Sequence, residues 1–192
     1  MPFTAKSGKF NASINAVEFG TGDKAVKIGG ENVFPLYSFD AAIENAPKVG
    51  IEITDFGMEH EPECIKKYYE GCATLADMAR KAASMEGVDF LSFRMEGGDP
   101  NGANKSTEEL IGELKEIADA VDLPLVVCGC KNVEKDAELF SKAAEALNGK
   151  NAVILSAKEE NYKTVGAAAG LAYKQVVGAE SAVDINLAKQ LN

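Results

Sequence analysis

The 192-residue sequence predicts an α/β protein built around a parallel β-sheet. Five short apolar runs alternate with longer segments in which apolar residues recur every three or four positions. The runs are unbroken, as expected of strands buried on both faces. Strand–helix alternation at this spacing indicates right-handed βαβ units. The predicted strands are Val49–Thr54, Val88–Met95, Leu123–Cys128, Asn151–Ser156 and Gln175–Ala179.

A β-hairpin is predicted ahead of the sheet. Apolar residues alternate weakly from Ile14 to Phe19, the segment Gly20–Asp23 favours a turn, and Ala25–Ile28 returns. Prolines at positions 35 and 47 then mark a linker.

Three amphipathic stripes predict the helices between the strands. They run from Ile65 to Ala79, from Leu110 to Val121 and from Val133 to Leu147. Ser106, with Glu109 three residues later, predicts a capping box that opens the second helix.

Two architectures accommodate these units. One is an open, doubly wound sheet; the other is part of a TIM (β/α)₈ barrel, which needs ~250 residues. The apolar pattern from Val183 to Leu191 reaches the end of the sequence without a cap or a further strand. This favours the first five βα units of a barrel. We therefore expect a hairpin and linker at 1–47 and a partial barrel at 48–192.

The charge balance restricts the partners. The formal net charge is −10 and the isoelectric point is near 4.7, which argues against nucleic acid and anionic membrane surfaces as ligands. The sequence has no apolar run of about 18 residues, so no transmembrane helix is predicted. The amino terminus lacks the apolar core of a signal peptide, so we expect a cytoplasmic protein.

In parallel α/β folds, ligands bind beyond the carboxyl ends of the strands. The polar segment Gly97–Gly102 lies at such an end, where its backbone can approach a flat ligand; the alternative is an ordinary Asp-Pro turn. Arg94 ends an apolar strand and is expected to pair with Asp99 or with Glu52, which is costly to bury unpaired. Two interpretations of such a pair stay open with equal weight: a purely structural ion pair, and a contact with a ligand.

The cysteines do not predict a metal site. Cys128 and Cys130 lie two residues apart at a strand end, whereas Cys64 and Cys72 fall within the first predicted helix, and no C-x-x-C motif is present. We interpret Cys128 and Cys130 as small buried residues, reduced in a cytosolic protein.

No catalytic residue is predicted. His60 lies in a predicted exposed loop without a nucleophile partner. A free-standing flavodoxin-like module would need a phosphate loop, and neither a Walker A motif nor G-x-G-x-x-G is present.

Residues 25–192 resemble the small, delta-type subunit of the corrinoid iron–sulfur protein in the acetyl-CoA decarbonylase/synthase (CO dehydrogenase/acetyl-CoA synthase) system. The segments that carry the resemblance are Asn32–Asp55, Gly97–Asn104 with Ser106, Leu123–Asp136, Glu160–Lys163 and Asp184–Asn192. The resemblance implies a TIM barrel and a heterodimer with a larger subunit, which carries a 4Fe-4S cluster and most of the cobamide site. The small subunit would cover one side of the corrinoid. Family members continue well beyond the position of Asn192.

The implied role is in methyl transfer within the reductive acetyl-CoA pathway. The complex would take a methyl group from a methylated pterin, through a methyltransferase, and pass it to acetyl-CoA synthase. No D-x-H-x-x-G motif surrounds His60, which fits a chain that supplies no cobalt ligand. Whether the chain is itself an enzyme stays open.

The alternative is a pterin-dependent methyltransferase barrel that acts on a corrinoid protein. Carboxylate and amide side chains at strand ends can hydrogen-bond a pterin. The segments Gly97–Asn104 and Glu160–Lys163 resemble the carrier rather than the methyltransferases, so we favour the carrier. The candidate cofactor contacts are Asp55, Arg94, Gly97, Gly98, Asp99, Asn101, Cys128 and Asn186.

Overall fold

The computed structural model describes residues 12–32 and 43–192. The strands are β1 (Val17–Phe19), β2 (Val26–Ile28), β3 (Gly50–Thr54), β4 (Phe90–Arg94), β5 (Leu125–Cys128), β6 (Val153–Ala157) and β7 (Val176–Ala179). The helices are α1 (Glu63–Tyr68), α2 (Leu75–Ala83), α3 (Thr107–Ala120), α4 (Val133–Ala146), α5 (Tyr162–Val165) and α6 (Ile185–Leu191). A π-helical segment, Gly166–Ala172, follows α5 directly. The central part of the predicted linker, residues 33–42, lies outside the described residues.

The five predicted parallel strands are confirmed. They pair in sequence order, β3-β4-β5-β6-β7, and every pairing is parallel. The central strand β5 is buried at all four residues, whereas the outer strands β3 and β7 are partly exposed. Unbroken apolar runs therefore mark the middle of the sheet best. No helix among the described residues is long and apolar enough to cross a membrane.

Helices α1 to α5 pack on one face of the sheet. Alternate strand residues, such as Ile53, Phe93 and Val127, share a core with Leu114 of α3 and Phe140 of α4. A doubly wound sheet needs a reversal in strand order and helices on both faces. The sequential order and the one-sided helices match neither requirement, and they are compatible with a segment of a barrel.

The predicted hairpin is confirmed, and it packs on the opposite face, which we call the hairpin face. β1 and β2 pair antiparallel, and Phe19 and Val26 form a second apolar cluster with Val126 of β5. The rings of Phe19 and Phe90 meet edge to face with centroids 5.7 Å apart. The backbone N–H of Gly20 donates to the carbonyl of Asn151 at 2.7 Å. The hairpin therefore covers the amino-terminal end of this face.

One prediction about the helices is wrong. The apolar stripe from Ile65 to Ala79 belongs to two helices, α1 and α2, rather than one. Gly71 between them has φ +88°, a conformation that ends a helix at little cost. Thr74 and Asp77 then form a reciprocal capping box that starts α2, with the Asp77 N–H donating to Thr74 Oγ1 at 3.1 Å.

The predicted cap of α3 is half present. Ser106 Oγ accepts the N–H of Glu109 at 3.1 Å, but the Glu109 side chain makes no return bond to Ser106. Asn132 caps α4 in the same way, with its side-chain oxygen accepting the N–H of Lys135 at 3.0 Å. These caps fix where both helices begin, directly after the loops at the strand ends.

Candidate functional site

A polar cleft of about 430 Å³ lies at the carboxyl ends of β4 to β7, and we call it the mouth cleft. Its lining residues are Arg94, Cys128, Gly129, Lys131, Asp136, Leu155, Ser156, Lys158 and Glu180. Four consecutive parallel strands deliver these residues to one place because their carboxyl ends meet at the same edge of the sheet.

Arg94 is held on the hairpin face by Glu52. Arg94 Nε donates to Glu52 Oε1 at 2.9 Å, and Nη2 donates to Oε2 at 2.8 Å, a bidentate arrangement between neighbouring strands. This hydrogen bonding raises the pKa of the guanidinium. The predicted ion pair is thus confirmed with Glu52 and not with Asp99. The guanidinium is oriented by the pair and still lines the mouth cleft.

Asp55 lies at the end of β3, and its side chain is fully buried. Both of its carboxylate oxygens accept the backbone N–H of Gly97, at 2.9 and 3.1 Å. Lys105 Nζ lies 3.0 Å from Asp55 Oδ2 and also donates to the Asp55 carbonyl at 2.8 Å. The Asp55 carboxylate therefore anchors the loop after β4 to the end of β3.

Gly97 is required by this contact. A Cβ at position 97 would lie 2.2 Å from Asp55 Oδ2, which no side chain tolerates without movement. Gly98 is also buried, and a Cβ there would meet Leu110 at 3.0 Å and Leu139 at 3.1 Å. Both glycines serve close packing inside the protein.

Glu113 shares Lys105 with Asp55. Lys105 Nζ donates to Glu113 Oε1 at 3.2 Å, and the other oxygen, Oε2, is buried without a hydrogen-bond partner in the described residues. Burial raises the pKa of the Glu113 carboxyl. Burial also disfavours the charge on Lys105, but its hydrogen bonds to Asp55 and Glu113 outweigh that effect and leave its pKa raised. One lysine thus balances two carboxylates.

The rest of the predicted glycine-rich loop is a turn built on Asp99. Asp99 Oδ1 accepts the Asn101 backbone N–H at 3.0 Å and its side-chain amide at 3.3 Å. The Asp99 carbonyl accepts the N–H groups of Gly102 and Asn104. This is the local hydrogen bonding expected of an Asx turn. Asn101 is exposed at the tip, outside the lining of the mouth cleft.

The two strand-end cysteines lie on opposite faces of the sheet. Cys128 is buried on the hairpin face with its sulfur 3.5 Å from Ser92 Oγ, whereas Cys130 packs in the core beneath the helices. Burial raises the pKa of the Cys130 thiol to about 11. The interpretation as small buried residues is confirmed. In the described residues, no three His, Cys, Asp or Glu side chains are grouped closely enough to hold a metal ion.

Other residues noted in the sequence lie apart from the mouth cleft. Cys64 is exposed in α1, and Cys72 falls in the connection to α2 rather than inside a helix. His60 is exposed and stacks edge to face on Phe56 with centroids 4.8 Å apart. Asn186 is exposed in α6, where its N–H donates to the capping side chain of Asp184. None of these four residues lines the cleft.

Four charged lining residues were not among the predicted site residues: Lys131, Asp136, Lys158 and Glu180. Lys158 directly follows β6, and Glu180 directly follows β7. A charged residue immediately after an apolar run could therefore have identified both as residues of the site. Asp136 gave no such signal, because it lies in the first turn of α4 and turns back to the loop after β5. Its carboxylate accepts the N–H groups of Cys130 at 2.7 Å and Lys131 at 3.1 Å.

Comparison with known proteins gives one consistent family. The sequence profile described as CO dehydrogenase/acetyl-CoA synthase delta subunit matches residues 16–192. Acetyl-CoA decarbonylase/synthase complex subunit delta of Methanothermobacter thermautotrophicus is 31% identical over 186 residues, covering 95% of this chain and 47% of that protein. The Archaeoglobus fulgidus subunit delta is 30% identical over 177 residues, covering 90% and 38%. The chain therefore spans about half the length, or less, of these relatives.

Proposed function

The chain belongs to the CO dehydrogenase/acetyl-CoA synthase delta subunit family, and from that membership we propose that it helps to hold and shield a cobamide. In this proposal residues 48–192 form part of a TIM barrel, and the β1–β2 hairpin, which belongs to the hairpin-and-linker region at 1–47, covers its amino-terminal end. A larger subunit, carrying a 4Fe-4S cluster, supplies the rest of the cofactor site. The complex works in the cytoplasm and carries a methyl group from a methylated pterin to acetyl-CoA synthase.

The observation that carries the proposal is the mouth cleft itself. It lies at the carboxyl ends of consecutive parallel strands, where ligands of such folds bind. Its volume of about 430 Å³ takes one part of a cobamide, which fits a site completed by a second protein.

The chemistry of the lining also fits this cofactor. Arg94, Lys131 and Lys158 are hydrogen-bond donors, and Glu180 is an acceptor at the exposed rim. A cobamide carries carboxamide side chains and a phosphodiester around its ring, which need such donors and acceptors. When bound, the cofactor supplies the cobalt that carries the methyl group. The residues of this chain would bind one edge of the ring and exclude water from it.

The alternative, a methyltransferase that binds the pterin itself, has less support. It would use Asp55, Asp99 and Asn186, but the buried Asp55 carboxylate is engaged by Gly97 and Lys105, and neither Asp99 nor Asn186 lines the mouth cleft. A buried carboxylate such as Asp55, whose two oxygens both accept protein donors, has little capacity left to orient a ligand. The carrier function therefore suits the geometry better.

The test measures how fast the corrinoid is lost. The larger subunit of the corrinoid protein is loaded with cobalamin and passed through a desalting column with and without this chain. We expect the chain to co-elute with the larger subunit and to slow the loss of corrinoid absorbance. Co-elution without any effect on corrinoid loss would overturn the shielding role. Binding of methyltetrahydropterin by the isolated chain would instead favour the methyltransferase.

A further inference from the structure

Three cationic side chains line the mouth cleft of a strongly acidic protein. Arg94 ends β4, Lys131 follows β5 and Lys158 follows β6. The whole chain has 30 acidic and 20 basic side chains. The cleft reverses this balance, since three cations and two carboxylates line it.

The cations are not neutralised by ion pairs among the described residues, apart from the pair of Arg94 with Glu52. Lys131 Nζ and Lys158 Nζ lie in no salt bridge of the described region, and neither donates a hydrogen bond there. Glu52 uses the Nε and Nη2 groups of Arg94, which leaves Nη1 without a partner in the same region. Unpaired cations in a concave site attract and concentrate anions.

The two carboxylates that line the cleft, Asp136 and Glu180, repel a bound anion only weakly. Asp136 is 4% exposed, and its oxygens accept the N–H groups of Cys130 and Lys131. Burial raises the pKa of the Asp136 carboxyl. Glu180 is exposed at the rim, where water screens its charge. Ser156, whose hydroxyl can donate a hydrogen bond, also lines the cleft.

The contact that fixes Lys131 also shapes the cleft. A Cβ at position 129 would lie 2.2 Å from Asp136 Oδ1, so a glycine is needed for the loop to approach the carboxylate. Lys131 itself has φ +72°, an unusual conformation for a lysine, and the bond from its N–H to Asp136 Oδ2 holds it there at 3.1 Å. Asp136 thereby sets where the Lys131 side chain leaves the backbone.

We propose that the mouth cleft binds a phosphate-type oxyanion between Arg94, Lys131 and Lys158. Planar guanidinium and mobile ammonium groups are the side chains that bind phosphate oxygens in proteins. The oxyanion is a free phosphate ion or the phosphodiester of a larger ligand. The inference does not rest on the cobamide function, because both sources present the same chemistry.

The test titrates inorganic phosphate into the ¹⁵N-labelled full chain at constant ionic strength. We expect saturable shifts of the amide signals of Gly129, Lys131 and Lys158. Lys131→Met and Lys158→Met should each weaken phosphate binding about tenfold, the effect of losing one charge-assisted hydrogen bond. Glu180→Gln should strengthen it, since the variant removes a repelling charge.

The matched control is Lys115→Met. Lys115 is exposed on α3 and lines a different groove. Its replacement by methionine removes the same charge and makes the same change in side-chain length as the two cleft variants. It should leave phosphate binding unchanged. Equal weakening by Lys115→Met and Lys158→Met would show general charge attraction and overturn the proposal, as would an absence of shifts at the cleft. Unchanged spectra away from the cleft verify that the variants fold.

A competition experiment distinguishes the two sources of the oxyanion. Cobalamin contains a phosphodiester, whereas cobinamide lacks it. Displacement of phosphate by cobalamin but not by cobinamide assigns the cleft to a cofactor phosphodiester. Phosphate binding that neither compound displaces assigns it to free phosphate or another phosphorylated ligand. Failure of the cobamide function would thus leave the phosphate titration unaffected.

Discussion

The two ends of the hairpin face differ, although the same strands form both. At the amino-terminal end Phe90, Val126 and Val153 pack under the hairpin residues Phe19 and Val26. Two residues further along β4 and β5, the side chains are Ser92 and Cys128, and then Arg94 at the end of β4, paired with Glu52. The first end is closed and apolar, and the second is open and polar.

From this difference we infer that stability and binding are separated along the strands. In barrel-type folds the amino-terminal end of the strands contributes stability, and the carboxyl end carries ligands. Residues at the covered end should therefore affect unfolding, whereas residues of the mouth cleft should affect binding. Two carboxyl-end residues, Asp55 and Gly129, should break this division, because each makes a close contact that holds a loop in place.

Removing the Phe19 side chain should have the largest effect on stability. Phe19 is 3% exposed and packs against Phe90, so Phe19→Ala leaves a cavity at the covered end. We expect a loss of about 4 kcal/mol in the free energy of unfolding. Urea denaturation measures it. The control Ile14→Ala, at a side chain 64% exposed, should change little, and equal losses from both variants would contradict the packing.

Asp55→Asn should break the simple division, because Asp55 is a structural residue at the carboxyl end. The variant leaves Lys105 beside an uncharged amide and disturbs the bonds from Gly97. Removing one partner of a buried ion pair should lower stability by about 3 kcal/mol. Glu63→Gln, which removes an exposed charge paired with Lys66, should cost under about 1 kcal/mol in the same denaturation experiment.

Two glycine-to-alanine changes should have opposite signs. A Cβ at Gly129 would collide with Asp136, so Gly129→Ala should lower stability by about 2 kcal/mol and shift the loop that carries Lys131. A Cβ at Gly112, inside α3, meets no atom within 4 Å, so Gly112→Ala should raise stability by about 0.5–1 kcal/mol. Thermal unfolding compares them. Stabilisation by both would mean that the Asp136 contact does not restrict position 129.

The smallest effect concerns pH. Burial raises the pKa of Glu113 above its usual 4.5, so the folded protein favours the protonated form. The stability that this group contributes is fully present below pH 4.5 and is lost as the pH rises through the raised value. Glu113→Gln should remove this dependence. As the pH falls from neutral, the free energy of unfolding of the wild type should therefore rise relative to that of the variant. Urea denaturation at several pH values measures both, and a constant difference between them would contradict a raised pKa for the Glu113 carboxyl.

The sequence predicted the elements whose signal is local. Continuous apolar runs gave the five strands, and the turn at Gly20–Asp23 gave the hairpin. The cost of an unpaired charge in a strand indicated a pair of Arg94 with Glu52 or Asp99, and the structure has the pair with Glu52. The prediction of a single helix from Ile65 to Ala79 was wrong. Gly71 and the cap of α2 interrupt the helix there, although the apolar periodicity continues across the interruption.

The parts that sequence reasoning missed depend on contacts between distant residues. Lys105 meets Asp55 across 50 positions, and no local pattern announces that pair. Asp136 appeared as an ordinary residue of a helical first turn, although its carboxylate shapes the cleft through Gly129. The lysines of the cleft, Lys131 and Lys158, become a group only when the strands are side by side.

We propose that the carboxyl end of the hairpin face binds the corrinoid and that the amino-terminal end stabilises the fold. The most direct measurement compares corrinoid retention by the complex with the larger subunit for Arg94→Met, Arg80→Met and Phe19→Leu. Arg80 is the matched control, an exposed arginine paired with Asp77 on α2.

We predict that Arg94→Met speeds corrinoid loss about tenfold with an unfolding midpoint near that of the wild type. Arg80→Met should match the wild type, and Phe19→Leu should lower the midpoint while retaining the corrinoid. Unchanged retention in Arg94→Met, together with faster loss in Phe19→Leu at a temperature where it stays folded, would contradict the claim.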